Sequence, residues 1–249
     1  MRLGGGGPGS LRADTLWAVF VRRVAVWLIL TAVAAGCGSD GGAVPDPPPI
    51  EDLILRSADA MSAVDTARFE MSRSGAPVSV SWLEFDSAIG VYRAPDEAKA
   101  VLRGKAADVT VEAGTISIGD VSWLANPLTG TWDFFPPDVA FNPATVFDDD
   151  VGWRAVLLDL GEAAYGGPAD EGGEGRWVVT GVIPPERIAT LTVGLVESQE
   201  VPVEMMIDPA TFLLRRVEFS TVGADGASDW VITLSEFGEP VSIEPPDVE

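Results

Sequence analysis

The 249-residue sequence has no histidine, one cysteine, two lysines and two tyrosines. Without histidine, the commonest general base and the commonest transition-metal ligand are both missing. One cysteine, Cys37, cannot close an intramolecular disulfide. No G-x-S-x-G elbow, S-x-x-K pair or P-loop occurs, and the Gly4 to Gly7 run lacks Lys and Ser/Thr at P-loop spacing. Carboxylates remain, but with 38 Asp and Glu some pair always looks suitable, so no pair carries weight. The composition therefore points away from an enzyme.

Long apolar runs are also lacking. The apolar stretch Val24 to Ala35 has 12 residues, where a membrane span needs roughly twenty. Arg22 and Arg23 precede it, and Ala34, Ala35 and Gly36 end it. A basic start, a short apolar centre and small residues at the end form an export signal. The next residue is Cys37. The stretch Val33-Ala34-Ala35-Gly36-Cys37 resembles a bacterial lipobox, in which the thiol is diacylated and the signal is cut before the cysteine. Acylation removes an exported free thiol, a liability, and supplies hydrophobic anchors. The expectation is a signal peptide over 1–36, an acyl anchor on Cys37, and no cofactor beyond it. The domain would sit on the extracytoplasmic side of the cell membrane, facing the periplasm or cell wall.

Removing the leader's four Arg and one Asp from 16 basic and 38 acidic residues leaves 12 and 37, a net charge of −25. Such a surface repels nucleic acid and anionic headgroups. Residues 37–49 (CGSDGGAVPDPPP) are too polar and too rich in Gly and Pro to form a core, and read as a tether. Residues 50–249 are one domain, large enough to bury most of its apolar surface.

In IEDLILRSADAMSAV, Ile50, Leu53, Ile54, Ser57, Met61 and Val64 recur at helical spacing. After Asp65 the period becomes two, in RFEMSR and PVSVSW. Further strands are expected over 87–93, 99–103, 108–112 and 115–118. VSWLANPLTGTWDFF is a hairpin turning at Asn126 to Gly130. NPATVFDDDVGWRAVLLDLG turns helical, with Asn142 as cap, Val151, Ala155, Val156 and Leu160 on one face, and Gly161 as its stop. AAYGGPADEGGEG reads as a mobile loop. Strands at 176–182, 201–207 and 212–222, a short helix at 185–191 and a final strand in DWVITLSEF complete the domain. The class is α+β: a large curved antiparallel sheet of about ten strands, with a few helices covering part of it. The space between sheet and helices is a natural apolar cavity. Asp148 to Asp150 could suggest calcium, but their spacing fits no EF-hand, and a helix start accounts for them. The domain's tryptophans (Trp82, Trp123, Trp132, Trp153, Trp177 and Trp230) suit either core or cavity wall.

The order of LRSADAMSAVDTARFEMSRSG, VSWLANPLTGTWDFF, FNPATVFDDDVGWRAVLLDL, WVVTGVIPPERIATL and VPVEMMIDPATFLLRRVEFS, behind a lipobox, resembles the LppX/LprG-type lipoproteins, fold relatives of the carrier LolA. The resemblance implies a half-barrel with helices on its concave side. It also implies a monomer with a cavity for acyl chains, carrying envelope lipids or lipoglycans without chemistry and passing them to a transfer or export protein. Burial at about 0.8 kcal/mol per methylene would suffice to hold such chains. By alternation, Phe69, Met71, Val80, Trp82, Val109, Val111 and Met205 face the cavity from strands, and Leu53, Met61, Val156 and Leu160 from the covering helices. Two other readings stand beside this one. The first is a protein-interaction or sensor lipoprotein without cargo, whose core would be filled. The second is a carboxylate hydrolase, whose cleft would hold two facing acids.

Overall fold

A computed structural model describes residues 44–248, apart from 81–82, 108, 136–140 and 197–198 and the side chain of Val80. Residues Ala43–Glu249 form one compact unit.

The chain enters through α1 (Ile50–Ser62), which Pro49 precedes and whose first turn carries Glu51 and Asp52, the sign favoured at a helix start. Leu53, Ile54, Ser57, Ala58 and Met61 are buried as the spacing predicts; Val64 is buried just beyond the helix end.

Twelve strands follow: β1 (Thr66–Gly75), β2 (Ser79–Val80), β3 (Leu83–Arg93), β4 (Glu97–Ala106), β5 (Val109–Ile118), β6 (Val121–Ala125), β7 (Trp132–Phe135), β8 (Gly161–Glu171), β9 (Glu174–Ile183), β10 (Val201–Ile207), β11 (Leu214–Gly223) and β12 (Gly226–Ser235). They make one sheet in the order β7-β6-β5-β4-β3-β1-β12-β11-β10-β9-β8, with β2 paired to β3. All pairings are antiparallel. The chain meanders outward from β1 to the β7 edge, crosses to the β8 edge, and meanders back until β12 closes on β1. The result is the expected curved sheet with few helices.

The crossing segment holds a 3-10 turn (Pro143–Phe147) and α2 (Trp153–Leu158). It covers one face of the sheet because its apolar side chains have nowhere else to be buried. Phe147 stacks on Tyr92 of β3 at 4.1 Å, and Phe141 stacks on Phe85 at 6.3 Å. Phe85, Trp230 and Phe219 continue that aromatic row across β3, β12 and β11. Gly90 of β3 leaves room for the Phe69 ring of neighbouring β1, since a Cβ there would lie 2.4 Å from Phe69 Cζ. A short helix, α3 (Pro185–Leu191), buries Ile188 and Leu191.

Four expectations need correction. The two strands over 108–112 and 115–118 are the single β5. Gly114 marks no turn there; it leaves room for Trp132, whose Cη2 would meet a Cβ at 2.9 Å. The helix expected through Leu160 is a 3-10 turn and the six-residue α2, with Val151 exposed before it and Leu160 beyond it. The expected mobile loop is β8, an edge strand broken by register shifts at 161/164 and 165/167. PVSVSW contributes only the two-residue β2, its last two residues lying outside the described ones.

Candidate functional site

An apolar cleft of about 540 Å³ opens near the β7 edge. Its walls are Ala106, Val109 and Val111 from β4 and β5, Leu124 and Ala125 from β6, the turn Asn126–Leu128, and Asp133 and Phe135 from β7. Register explains who points in. β4 opposite β5 sets Gly104 against Val111 and Ala106 against Val109, on the same face as buried Leu102 and Ala113. Leu124 pairs with Thr115 and with Asp133, and Ser122 pairs with Phe135, so Leu124 and Phe135 share that face. Trp123 and Phe134, directly paired, point to the other.

β6 joins β5 only from Thr115 onward. Val109 to Ala113 therefore pair on one side, with β4, and the β6–β7 hairpin tip closes the space beside them. The tip is set by Asn126, whose side-chain oxygen accepts from the N–H groups of Leu128 (2.9 Å) and Thr129 (3.3 Å). Its backbone adds bonds to Thr131 and Gly130, both 2.8 Å. Asp133 is the one ionisable residue among the cleft's described walls. Such a lining suits hydrocarbon and offers a polar group little to bind.

Of the residues read from sequence as cavity wall, Val109 and Val111 line this cleft. Leu53, Met61, Phe69, Met71, Val156 and Met205 are buried in the core cluster instead, and Leu160 packs against its rim. Phe69 and Met71 do meet the crossing segment, around Phe141, Val146 and Trp153, but the space enclosed there is about 10 Å³. Val80's side chain, Trp82 and Cys37 lie outside the described residues. Leu124, Phe135 and Ala106 were not foreseen, although the register fixed by the Asn126 turn would have placed the first two. None of Trp123, Trp132, Trp153, Trp177 and Trp230 lines the cleft. Trp153, Trp177 and Trp230 are buried, while Trp123 and Trp132 are half-buried.

The ionisable groups elsewhere have structural work. The Asp148 carboxylate accepts from the N–H groups of Asp150 and Val151, closing the turn before α2. Burial alone would raise the Asp208 pKa, yet it is held below its usual value. The N–H groups of Ala210 and Thr211 bind the carboxylate, and the Arg215 guanidinium lies 3.2 Å away. Burial pushes Tyr92 up to about 12, helped by Asp149, Asp96, Asp148 and Asp65. Arg73, its side chain 4% exposed, donates to Phe85 O and Ala76 O and lies 3.3 Å from Asp86. Among the described residues, no helix is long and apolar enough to cross a membrane.

Comparison with known proteins bears on both fold and family. LprF from Mycobacterium bovis superposes with a TM-score of 0.63 at 19% identity, covering 81% of this chain and 99% of that one. The lipoprotein LppX from Mycobacterium tuberculosis gives 0.56 at 18%, covering 80% and 100%. A LolA superfamily protein from Nitrosomonas europaea matches more loosely, at 0.28 and 8%, covering 77% and 93%. No curated protein matches by sequence. The fold is thus that of LprF and LppX. The family model described as LppX_LprAFG lipoprotein matches residues 50–243, nearly the whole described domain, and the chain belongs to that family.

Proposed function

We propose that this lipoprotein-family domain is a non-catalytic carrier of lipid acyl chains, held at the extracytoplasmic face of the membrane through acylated Cys37. The observation that carries this reading is the apolar cleft of about 540 Å³ at the β7 edge. At about 30 Å³ per water-sized group, it holds on the order of 15–20 methylene-sized groups. Burial at about 0.8 kcal/mol each would bind a single chain firmly without any special polar contact. Family membership supports the same reading. The cargo would be an envelope lipid or lipoglycan with at least one chain in the cleft.

The test is mass spectrometry of organic extracts from the domain, purified without detergent from an envelope-bearing host. A stoichiometric lipid, lost when Val111→Trp fills the cleft, is the expected result. A clean extract with no uptake of added lipid would overturn the reading. A second reading, a cargo-free protein-interaction or sensor module, is favoured by the filled layer around Trp153, and a clean extract would select it.

A further inference from the structure

The β6–β7 hairpin differs from the rest of the surface in charge and in what it exposes. Across Val121 to Phe135 it carries one charged residue, Asp133, in a chain of net charge −22. Leu128 at its tip is 88% exposed, Phe134 on the edge strand is 61% exposed, and Val109, across the cleft, is 62% exposed. Single exposed apolar residues are ordinary. Leu128 and Val109 border the apolar cleft, while Phe134, with half-buried Trp123 and Trp132, lies on the opposite face of the same hairpin, so the hairpin presents apolar groups at its tip and on both faces. Both lysines of the chain, Lys99 and Lys105, lie on β4, one strand removed from the hairpin across β5, and Lys105 adjoins Ala106 of the cleft wall in sequence. Lys105 lies at 4.0 Å from Glu84, and Lys99 has no ion pair among the described residues.

We infer that this hairpin and the cleft mouth form a docking surface for a bilayer containing anionic lipid. Aromatic side chains with an apolar body settle at the headgroup level, and lysines reach past an apolar surface to anionic headgroups. The rest of the domain, strongly acidic, is repelled from such a bilayer, so the nearly uncharged hairpin with the lysines of nearby β4 is the part that can approach. The inference rests on the carrier reading for its purpose. A chain leaving the bilayer through water would expose each methylene at about 0.8 kcal/mol. A mouth seated in the interface removes that barrier.

The test uses the full chain, reconstituted from detergent into vesicles of phosphatidylcholine and phosphatidylglycerol at 7:3. A diazirine-bearing residue replaces Phe134 or, as control, Val222, which is 69% exposed on β11. Irradiation should give lipid adducts at 134 at least ten-fold above those at 222, with a marked fall in pure phosphatidylcholine vesicles. Equal adducts at both positions, no dependence on the anionic lipid, or adducts at 134 to a second copy of the chain would overturn the inference. A parallel assay follows a fluorescent fatty acid. Phe134→Asp, which does not line the cleft, should slow uptake from vesicles at least ten-fold and leave uptake from detergent-dispersed monomer unchanged. Equal slowing of both routes would count against docking. A wild-type chain that takes up lipid by neither route sinks the carrier reading, and the adduct pattern still decides the docking surface.

Discussion

Trp153 makes one prediction that can be worked through from the structure. Its side chain is 1% exposed, it lies where the crossing segment meets the sheet, and its Nε1–H has no partner. Replacing it with alanine should cost about 3–5 kcal/mol, the usual loss for a buried tryptophan. Replacing it with phenylalanine removes the N–H but keeps most of the ring. The volume lost is on the order of 40 Å³, and at about 24 cal/mol per Å³ of residual cavity this costs about 1 kcal/mol. Removing a buried donor without a partner returns about 1–3 kcal/mol. Trp153→Phe should therefore lie within about 1 kcal/mol of the parent or above it, while Trp153→Ala falls far below. Urea unfolding followed by far-ultraviolet circular dichroism measures both on one scale. If the phenylalanine variant loses more than about 2 kcal/mol, the indole N–H has a partner in solution, and the accounting of this layer is wrong.

Gly90→Ala should destabilise by about 1–3 kcal/mol, because the new Cβ meets Lys99 O at 2.5 Å as well as Phe69; a neutral result in thermal unfolding would show that β3 and β4 can shift apart. Asp208 titrates below its ordinary 3.8, so its contribution is present above that pH and is lost as pH falls through the native value. Asp208→Asn should cost about 1 kcal/mol at pH 6, with the gap to the parent closing below about pH 4; a gap that persists into acid in urea titrations would contradict this. Tyr92, raised to about 12, stabilises the fold below pH 10, and that contribution is lost as pH climbs toward 12. Absorbance of the phenolate near 295 nm should show one tyrosine titrating late, and Tyr92→Phe should abolish that late step.

Much of the fold could be read before any coordinates. The α1 face, the helix at 185–191 and the strand pair at 201–207 and 212–222 follow from period and punctuation, which are local properties. The failures are equally physical. β8 contains Gly, Ala, Pro and Asp because it is an edge strand, mostly exposed, and edges tolerate residues that a central strand excludes. The strands expected over 108–112 and 115–118 were read as separate because a single sequence cannot show that Gly114 leaves space for Trp132 inside one strand. At the site, alternation put Val109 and Val111 on an inward face, and both border the cleft. It could not tell a filled inner face from an open one, since Phe69, Met71 and Met205 have the same pattern. That difference depends on where the crossing segment lies, which is a long-range outcome.

The pairing of β1 with β12 governs the order in which this domain can be completed. The two strands meet over Arg68–Ser235 to Gly75–Ser228, at the middle of the sheet, while both free edges come from the middle of the chain. A chain emerging from its N-terminus can fold β3 onto β1 early, yet β1 keeps a bare hydrogen-bonding flank until about residue 235 is available. Partial chains therefore end as half-sheets with a sticky central strand, and closure is a late, long-range event. Truncation near the C-terminus removes a central strand and leaves the flank of β1 unpaired in the middle of the sheet.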